Sequence, residues 1–361
     1  MKGAPLSKAD ISSEGTPFIL YGELYTTYSE VAYQIQRKTD KEVEPQFYSR
    51  VGDVIMPTSG ETPEDIATAT CVMTPNVILA GDLLIYRTTA VDGRIISYAI
   101  KNKVNKQIAS VAQGKSVVHV RAEELCKVVI NYPSKTEQEK IIAMLALLEK
   151  KLVLQKQIIE SLKKYKRGVS KAIFEQNISL MTTDTPWEDT TLGEVCNITM
   201  GQSPDSDSYN LNGVGIPLVQ GNADMSNGIT APNRYTSRPT KLCEKGAIVL
   251  SVRAPVGSVG RADRDICIGR GVCAIDSDNN DFLYFLLEEN EGYWKHIEQG
   301  GTFTAISGED ISAMPIKYPS KAERQKIAAV LRLIDNKIRT ETTVLNKLTL
   351  LKTSLLQKIF I

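Results

Sequence analysis

Arginine, asparagine and glutamine read base edges in the DNA major groove through paired hydrogen bonds to guanine or adenine, with serine and threonine less exacting. Four arginines, Arg253, Arg261, Arg264 and Arg270, fall within one strand-and-turn stretch of this 361-residue chain. Gln202, Gln220, Asn222, Asn233 and Arg234 precede them, in loops marked by glycine or proline. Nearer the N-terminus, Tyr25-Thr26-Thr27-Tyr28 is a polar-aromatic run, and Arg87-Thr88-Thr89 with Arg94 follows an apolar strand-like stretch. Taken singly, each of Tyr25, Thr27, Tyr28, Arg87, Thr88, Arg94 and the later group reads equally as a solvated side chain. As a set they have the types that contact bases and phosphates.

Other chemistry is poorly provided for. There is no G-x-x-x-x-G-K-[ST] phosphate loop and no G-x-G-x-x-G after a strand; Gly257-Ser258-Val259-Gly260 and Gly300-Gly301 read as turns. Asp276-Ser277-Asp278-Asn279-Asn280-Asp281 starts like a calcium loop but lacks the glycine at position six and the glutamate at position twelve. Asp205-Ser206-Asp207 fails the same test. Two histidines, His119 and His296, and six cysteines without a CxxC pair give no closed zinc site; the cysteines are expected as buried thiols. No adenosylmethionine loop and no Asn/Asp-Pro-Pro-aromatic tetrapeptide is present. The chain is therefore expected to be non-catalytic, without a metal or cofactor of its own. No stretch approaches the roughly 18 to 20 apolar residues of a membrane span, and Met1-Lys2-Gly3-Ala4-Pro5 does not lead into a signal peptide, so a cytoplasmic location is expected.

The elements that would position these residues announce themselves by repetition, which is settled before local motifs because it fixes architecture. Tyr132-Pro133-Ser134-Lys135 returns 186 residues later as Tyr318-Pro319-Ser320-Lys321, and 15 of the 43 positions from Tyr132 to Phe174 match their counterparts without a gap. Both copies open with an S-x-x-E capping box, Ser134 with Glu137 and Ser320 with Glu323. A heptad seam follows: Ile141, Leu145, Leu148, Leu152, Ile159 and Leu162 in the first copy, and Ile327, Leu331, Ile334, Ile338, Leu345 and Leu348 in the second. Its polar interruptions, Gln155 and Lys166 against Glu341 and Lys352, fall at the same two steps. A helix over 137–175 would expose this seam alone in water. Pairing the two copies antiparallel covers it, each helix leaving its own globular part; homodimerisation through the seam is the alternative.

The globular parts are diverged copies as well. Gly114–Asn131 aligns ungapped with Gly300–Lys317, and Pro17-Phe18-Ile19 resembles Pro217-Leu218-Val219. Strands are predicted at 18–21, 54–56, 82–86, 216–219, 247–252 and 266–268, a helix over 282–294, and a polar linker over 177–186. The domains are thus 1–131, a helix over 132–177, 178–317, and a helix over 318–361. Trp187 through Val195 has no counterpart in the first copy, so the first domain is expected to lack a front edge strand or to receive it from another segment. Charge is uneven: residues 181–317 carry 10 basic against 19 acidic side chains, whereas 132–180 and 318–361 carry 10 against 5 and 9 against 3. The lysines of the first helix (Lys150, Lys151, Lys156, Lys163, Lys164, Lys171) read as a solvated or partner-facing surface, or as phosphate contacts.

Two diverged α+β domains, each ending in Y-P-S-K and a long capped helix, resemble the DNA specificity subunit of type I restriction–modification enzymes. Trp187 with Leu192-Gly193-Glu194-Val195 is similar to the opening of a target recognition domain in that family. The resemblance implies an α+β fold: two pseudo-repeated target recognition domains joined by two long antiparallel helices forming a coiled coil. It implies that residues 1–131 and 181–317 each read half of a bipartite, asymmetric sequence in double-stranded DNA. The helices would set the spacer and dock two methyltransferase subunits, with nuclease/translocase subunits joining for restriction. Adenosylmethionine, ATP and magnesium would bind those partners. Rival expectations are a non-catalytic coiled-coil scaffold presenting two protein-binding modules, and a magnesium nuclease built on the acidic loops.

Overall fold

A computed structural model describes residues 2–112, 118–181, 186–294 and 305–360. His296, Gly300-Gly301 and residues 182–185 of the polar linker lie outside the described residues. The chain divides into two units, one of residues 1–156 with 343–361 and one of residues 157–342. Each therefore holds one globular domain and one end of each long helix.

The long helices are Lys135–Phe174 and Lys321–Ile359. In the first unit, Ile142 and Leu145 from the start of the first helix share a core with Leu356 and Phe360 from the end of the second. In the second unit, Ile173 from the end of the first helix shares a core with Ile327 and Leu331 from the start of the second. Start meets end in both, so the helices are antiparallel, and every predicted seam residue is buried or half-buried. The two starts divide the capping box between them. Glu137 reaches back to accept from the Ser134 amide at 3.0 Å and from its hydroxyl at 2.7 Å. In the second copy, the Ser320 hydroxyl instead accepts from the Glu323 amide at 3.4 Å. Gln138 and its counterpart Arg324 both donate back to the preceding proline carbonyl, at 2.9 and 2.7 Å, locking the turn into each helix.

The first domain's central strand, Thr16–Leu20, runs antiparallel to Lys38–Thr39 and parallel to Ile78–Ala80. A second sheet orders Val31–Ala32, Thr70–Val72, Asp53–Pro57 and Leu83–Tyr86, the first pair parallel and the others antiparallel. The second domain repeats this plan. Ile216–Val219 is antiparallel to Arg234–Thr236 and parallel to Ile266–Ile268. Ile248–Ser251 lies between Val259–Arg261 and Val272–Asp276. A helix packs on each second sheet, Gly93–Asn102 in one domain and Asn280–Glu289 in the other, the latter beginning before and ending short of the expected 282–294. The short helices Ala122–Leu125 and Gly308–Ser312 fall at the aligned positions.

The difference between the domains is at the front edge. In the second, Glu188–Thr191 pairs with Pro315–Tyr318, and Asn197–Met200 pairs with the strand Val272–Asp276. In the first, the described N-terminal residues make isolated bridges, Lys2 with Leu84 and Ala4 with Ala80. Among the described residues no strand pairs with Val129–Tyr132, the counterpart of Pro315–Tyr318. Val129 is exposed like its counterpart Pro315, and Ile130 is half-buried where its counterpart Ile316 is buried. The cysteines correct one expectation: Cys71, Cys243, Cys267 and Cys273 are buried, but Cys196 is half-buried and Cys126 is exposed, the latter because it sits in the turn after Ala122–Leu125. No helix of the described residues is long and apolar enough to cross a membrane.

Candidate nucleic-acid interface

In the second domain three strand ends meet. The chain leaves Ile216–Val219 at Gln220, leaves Ile248–Ser251 at Arg253, and enters Val272–Asp276 from Arg270 and Gly271. With Ser203, Ser206 and Tyr209, these ends line a cleft of about 770 Å³. The close approach depends on Gly271, where a Cβ would stand 2.0 Å from the Gln220 carbonyl oxygen. Gln220 is held by its side chain donating to the Tyr209 hydroxyl at 2.8 Å and its amide donating to Asp224 at 2.7 Å. Arg270 is steadied by the Ser203 hydroxyl, which accepts from its amide and Nε at 3.2 and 3.3 Å. Arg253 and Arg270 are exposed and Asn222 is half-buried.

The cleft thus gathers two guanidinium groups, two carboxamides and a phenol, with no carboxylate among its lining residues. That composition can donate to guanine or to phosphate and can pair with adenine. Several of this domain's carboxylates are engaged within the fold. Glu194 and Asp310 accept from the amides of Thr191 and Ser307 in capping boxes. Asp224 and Asp265 accept from the backbone amides of Gln220 and Lys245, and Asp281 binds Arg261 and Arg332.

The other predicted residues of this domain separate from that group. Gln202, Asn233 and Arg234 are exposed on neighbouring segments and do not line the cleft. Arg264 is exposed and grips Asp263 at 2.8 Å. Arg261 lies 4.2 Å over the Tyr284 ring and pairs with Asp281, so it serves the packing of the helix Asn280–Glu289.

The first domain splits its candidates between opposite ends of one strand. Beyond the end of Asp53–Pro57, the Tyr25 hydroxyl donates to the Ser59 carbonyl at 2.8 Å, with Thr27 exposed beside it. By strand order this is the counterpart of the Gln220–Arg253 junction. Burial raises the Tyr25 hydroxyl pKa, so it stays a donor. Tyr28 is half-buried and accepts from the Gln36 amide at 3.2 Å. At the start of the same strand, Arg87 binds Asp53 at 3.2 Å and the carbonyls of Gln46 and Tyr48 at 3.2 and 3.0 Å. Arg94 forms a two-bond pair with Asp92 at 2.9 and 2.8 Å. Burial works against the Asp92 charge, but the Arg94 bonds outweigh it and hold the carboxyl below its ordinary range. Thr88 exchanges both its hydrogen bonds with Val91. These residues rim a second cleft of about 350 Å³ with Arg50.

Sequence reasoning misses Arg50, Ser203, Ser206 and Tyr209. The Arg50-Val51-Gly52-Asp53 turn, with Gly52 at φ +90°, is a readable signal for the first. Nothing local marks the other three, which strand order brings in. Among the described residues no group of His, Cys, Asp and Glu is arranged to hold a metal ion.

Comparison with known proteins places this geometry in context. Residues 185–350 match the model of the type I restriction modification DNA specificity domain. A putative type I restriction enzyme MjaX specificity subunit of Methanocaldococcus jannaschii is 32% identical over 259 residues, covering 68% of this chain and 58% of the relative. The chain thus spans little more than half the length of that relative. The MjaIX specificity subunit of the same organism is 34% identical over 129 residues, covering 32% of this chain and 30% of that one. Among solved structures, the type I restriction–modification S subunit from M. genitalium matches with a TM-score of 0.67 at 19% identity, covering 100% of this chain and 93% of that one. A chain from a study of complex assembly and conformational transition of the type I R-M system matches at 0.56 and 26% identity, covering 90% and 83%.

Proposed function

Because the chain belongs to the family of type I restriction–modification DNA specificity subunits, we propose that it reads a bipartite, asymmetric DNA sequence and carries no catalysis of its own. The convergence of Arg253, Arg270, Gln220 and Asn222 on one carboxylate-free cleft carries this reading. The cleft reads one half-site; the Tyr25–Thr27 end of the first domain, its counterpart in strand order, reads the other. Arg87, Thr88 and Arg94 hold the first domain together in this reading, since Asp53, Val91 and Asp92 engage them within the domain.

Two methyltransferase subunits dock on the long helices. Each unit supports this with a matching set of exposed apolar side chains, Met144, Leu147 and Leu351 in one and Val330, Leu333 and Tyr165 in the other. These residues correspond pairwise at the repeat offset of 186. Adenosylmethionine, magnesium and ATP belong to the methyltransferase and nuclease/translocase partners. The test is co-expression with a methyltransferase subunit followed by genome-wide mapping of modified adenines. Wild type should mark a two-part sequence, and Arg253→Ala with Arg270→Ala should relax or abolish one half only. Loss of both halves together, or no two-part sequence in wild type, would overturn the reading. Metal-dependent cleavage by the purified chain would favour a nuclease instead.

A further inference from the structure

A seam of leucine and isoleucine repeating every seven residues is degenerate: slid by one heptad, it still presents apolar side chains to apolar side chains. Something other than the seam has to select one register. At the second polar interruption of each helix stands a largely buried lysine, Lys166 in one and Lys352 in the other, 186 residues apart. In the second unit, Lys166 Nζ lies 2.8 Å from Asp335 on the opposite helix and 2.6 Å from Glu288 on the domain. In the first unit, Lys352 Nζ lies 3.2 Å from Glu149 on the opposite helix and 2.8 Å from Glu30 on the domain. Glu149 and Asp335 are again 186 apart, and so are Tyr98 and Tyr284, whose rings each sit 5.9 Å from their lysine. The same joint of lysine, cross-helix carboxylate and tyrosine is built twice, while Glu30 and Glu288 come from unrelated places in the two domains.

We propose that Lys166 and Lys352 are positioning residues that select the helix register and, through it, the distance between the two half-sites. The second clause rests on the DNA-reading function proposed above. A slip of one heptad carries each Nζ about 10 Å from its carboxylates at roughly 1.5 Å per residue. It would take each lysine away from both of its carboxylates in a largely buried place, at both ends at once, with Glu30 left to Lys101 and Glu149 to the Tyr98 hydroxyl. The seam's apolar residues impose no such all-or-none condition. Each joint also ties three elements together, since its groups come from both long helices and from the domain packed on them.

The experiment places spin labels at Lys163→Cys and Lys337→Cys, one on each helix within the second unit, with Cys126→Ser and Cys196→Ser to silence the more accessible thiols. Pulsed dipolar spectroscopy on the full chain should give one distance. Lys166→Met with Lys352→Met should add a population displaced by about one heptad, and Lys166→Arg with Lys352→Arg should restore the single distance. The milder Asp335→Asn with Glu149→Gln removes only the cross-helix arms and should show a smaller second population, which keeps the test open if the methionine variant does not fold. One unchanged distance in both variants would overturn the inference, whatever the DNA result. A displaced population with an unchanged spacer between methylated half-sites would overturn its second clause. Failure of wild type to mark any two-part sequence would overturn the DNA-reading function and leave the register result standing.

Discussion

Glu30 shows how much of the first unit hangs on a single side chain. It is 7% exposed, lies between Lys352 at 2.8 Å and Lys101 at 3.3 Å, and is the domain's own half of the joint. Burial opposes its charge, yet the two ammonium groups outweigh that and hold its pKa below the ordinary value. A depressed carboxyl pKa contributes stability that is fully present above the unfolded value, near 4.3, and is lost as pH falls through the folded one. Glu30→Gln is therefore expected to cost on the order of 3 kcal/mol at neutral pH, as removing one partner of a buried pair does. Its stability should also fall less steeply than wild type below about pH 4.3. Chemical denaturation across pH checks both. Glu288 behaves oppositely, because burial raises its pKa against the pull of Lys166. Its ionisation opposes folding as pH rises, so Glu288→Gln should be better tolerated near neutral pH than Glu30→Gln. Gly271 is a different kind of constraint. With a Cβ 2.0 Å from the Gln220 carbonyl, Gly271→Ala cannot keep the strand ends where they are. It should disturb recognition of one half-site more than Gln202→Ala, which leaves the cleft lining intact.

At the level of elements, the two domains share one plan and differ, among the described residues, at one edge. The strand Pro315–Tyr318 is paired along its length by Glu188–Thr191, whereas Val129–Tyr132 has no strand against it among the described residues. Amides in a paired strand open only with the surrounding structure, and exposed ones exchange freely. Hydrogen exchange should accordingly find residues 129–132 unprotected and residues 315–318 slow. Equal protection would mean that another segment covers the first edge. This asymmetry is legible in the amino-acid sequence, because the repeat shows Trp187 through Val195 without a counterpart among the residues before Pro17. So are the helices, since their seam and S-x-x-E boxes are local patterns. The cleft is only partly legible. Gln220, Asn222, Arg253 and Arg270 stand out by type, but only the pairing of Ile216–Val219 with Ile266–Ile268, with that of Ile248–Ser251 on Val272–Asp276, brings them to one place. Those pairings are set by contacts far apart in sequence. The pairing of Arg87 with Asp53 is likewise set at long range, whereas that of Arg94 with Asp92 is local, two residues apart.

For the whole molecule, the charge count and the function pull in opposite directions, and the resolution lies in where the charges sit. A domain with 19 acidic and 10 basic side chains should repel DNA at long range even though its cleft lining holds arginine and no carboxylate. Affinity for DNA comes largely from neutralised phosphates, with log affinity falling by about 0.9 per contacted phosphate for each tenfold rise in salt. Few such contacts are available to this chain from its cleft alone, so its isolated binding should be weak and its salt slope shallow. In the proposed complex, added methyltransferase should tighten binding and steepen the slope together, as phosphate contacts from a partner would do. Fluorescence anisotropy over a salt series, with and without that subunit, separates the two contributions. If the isolated chain bound tightly and resisted salt, phosphate contacts supplied by a partner would be unnecessary. Sequence choice should nevertheless stay with this chain: exchanging residues 181–317 for a relative's domain should replace one half of the methylated sequence and leave the other half intact.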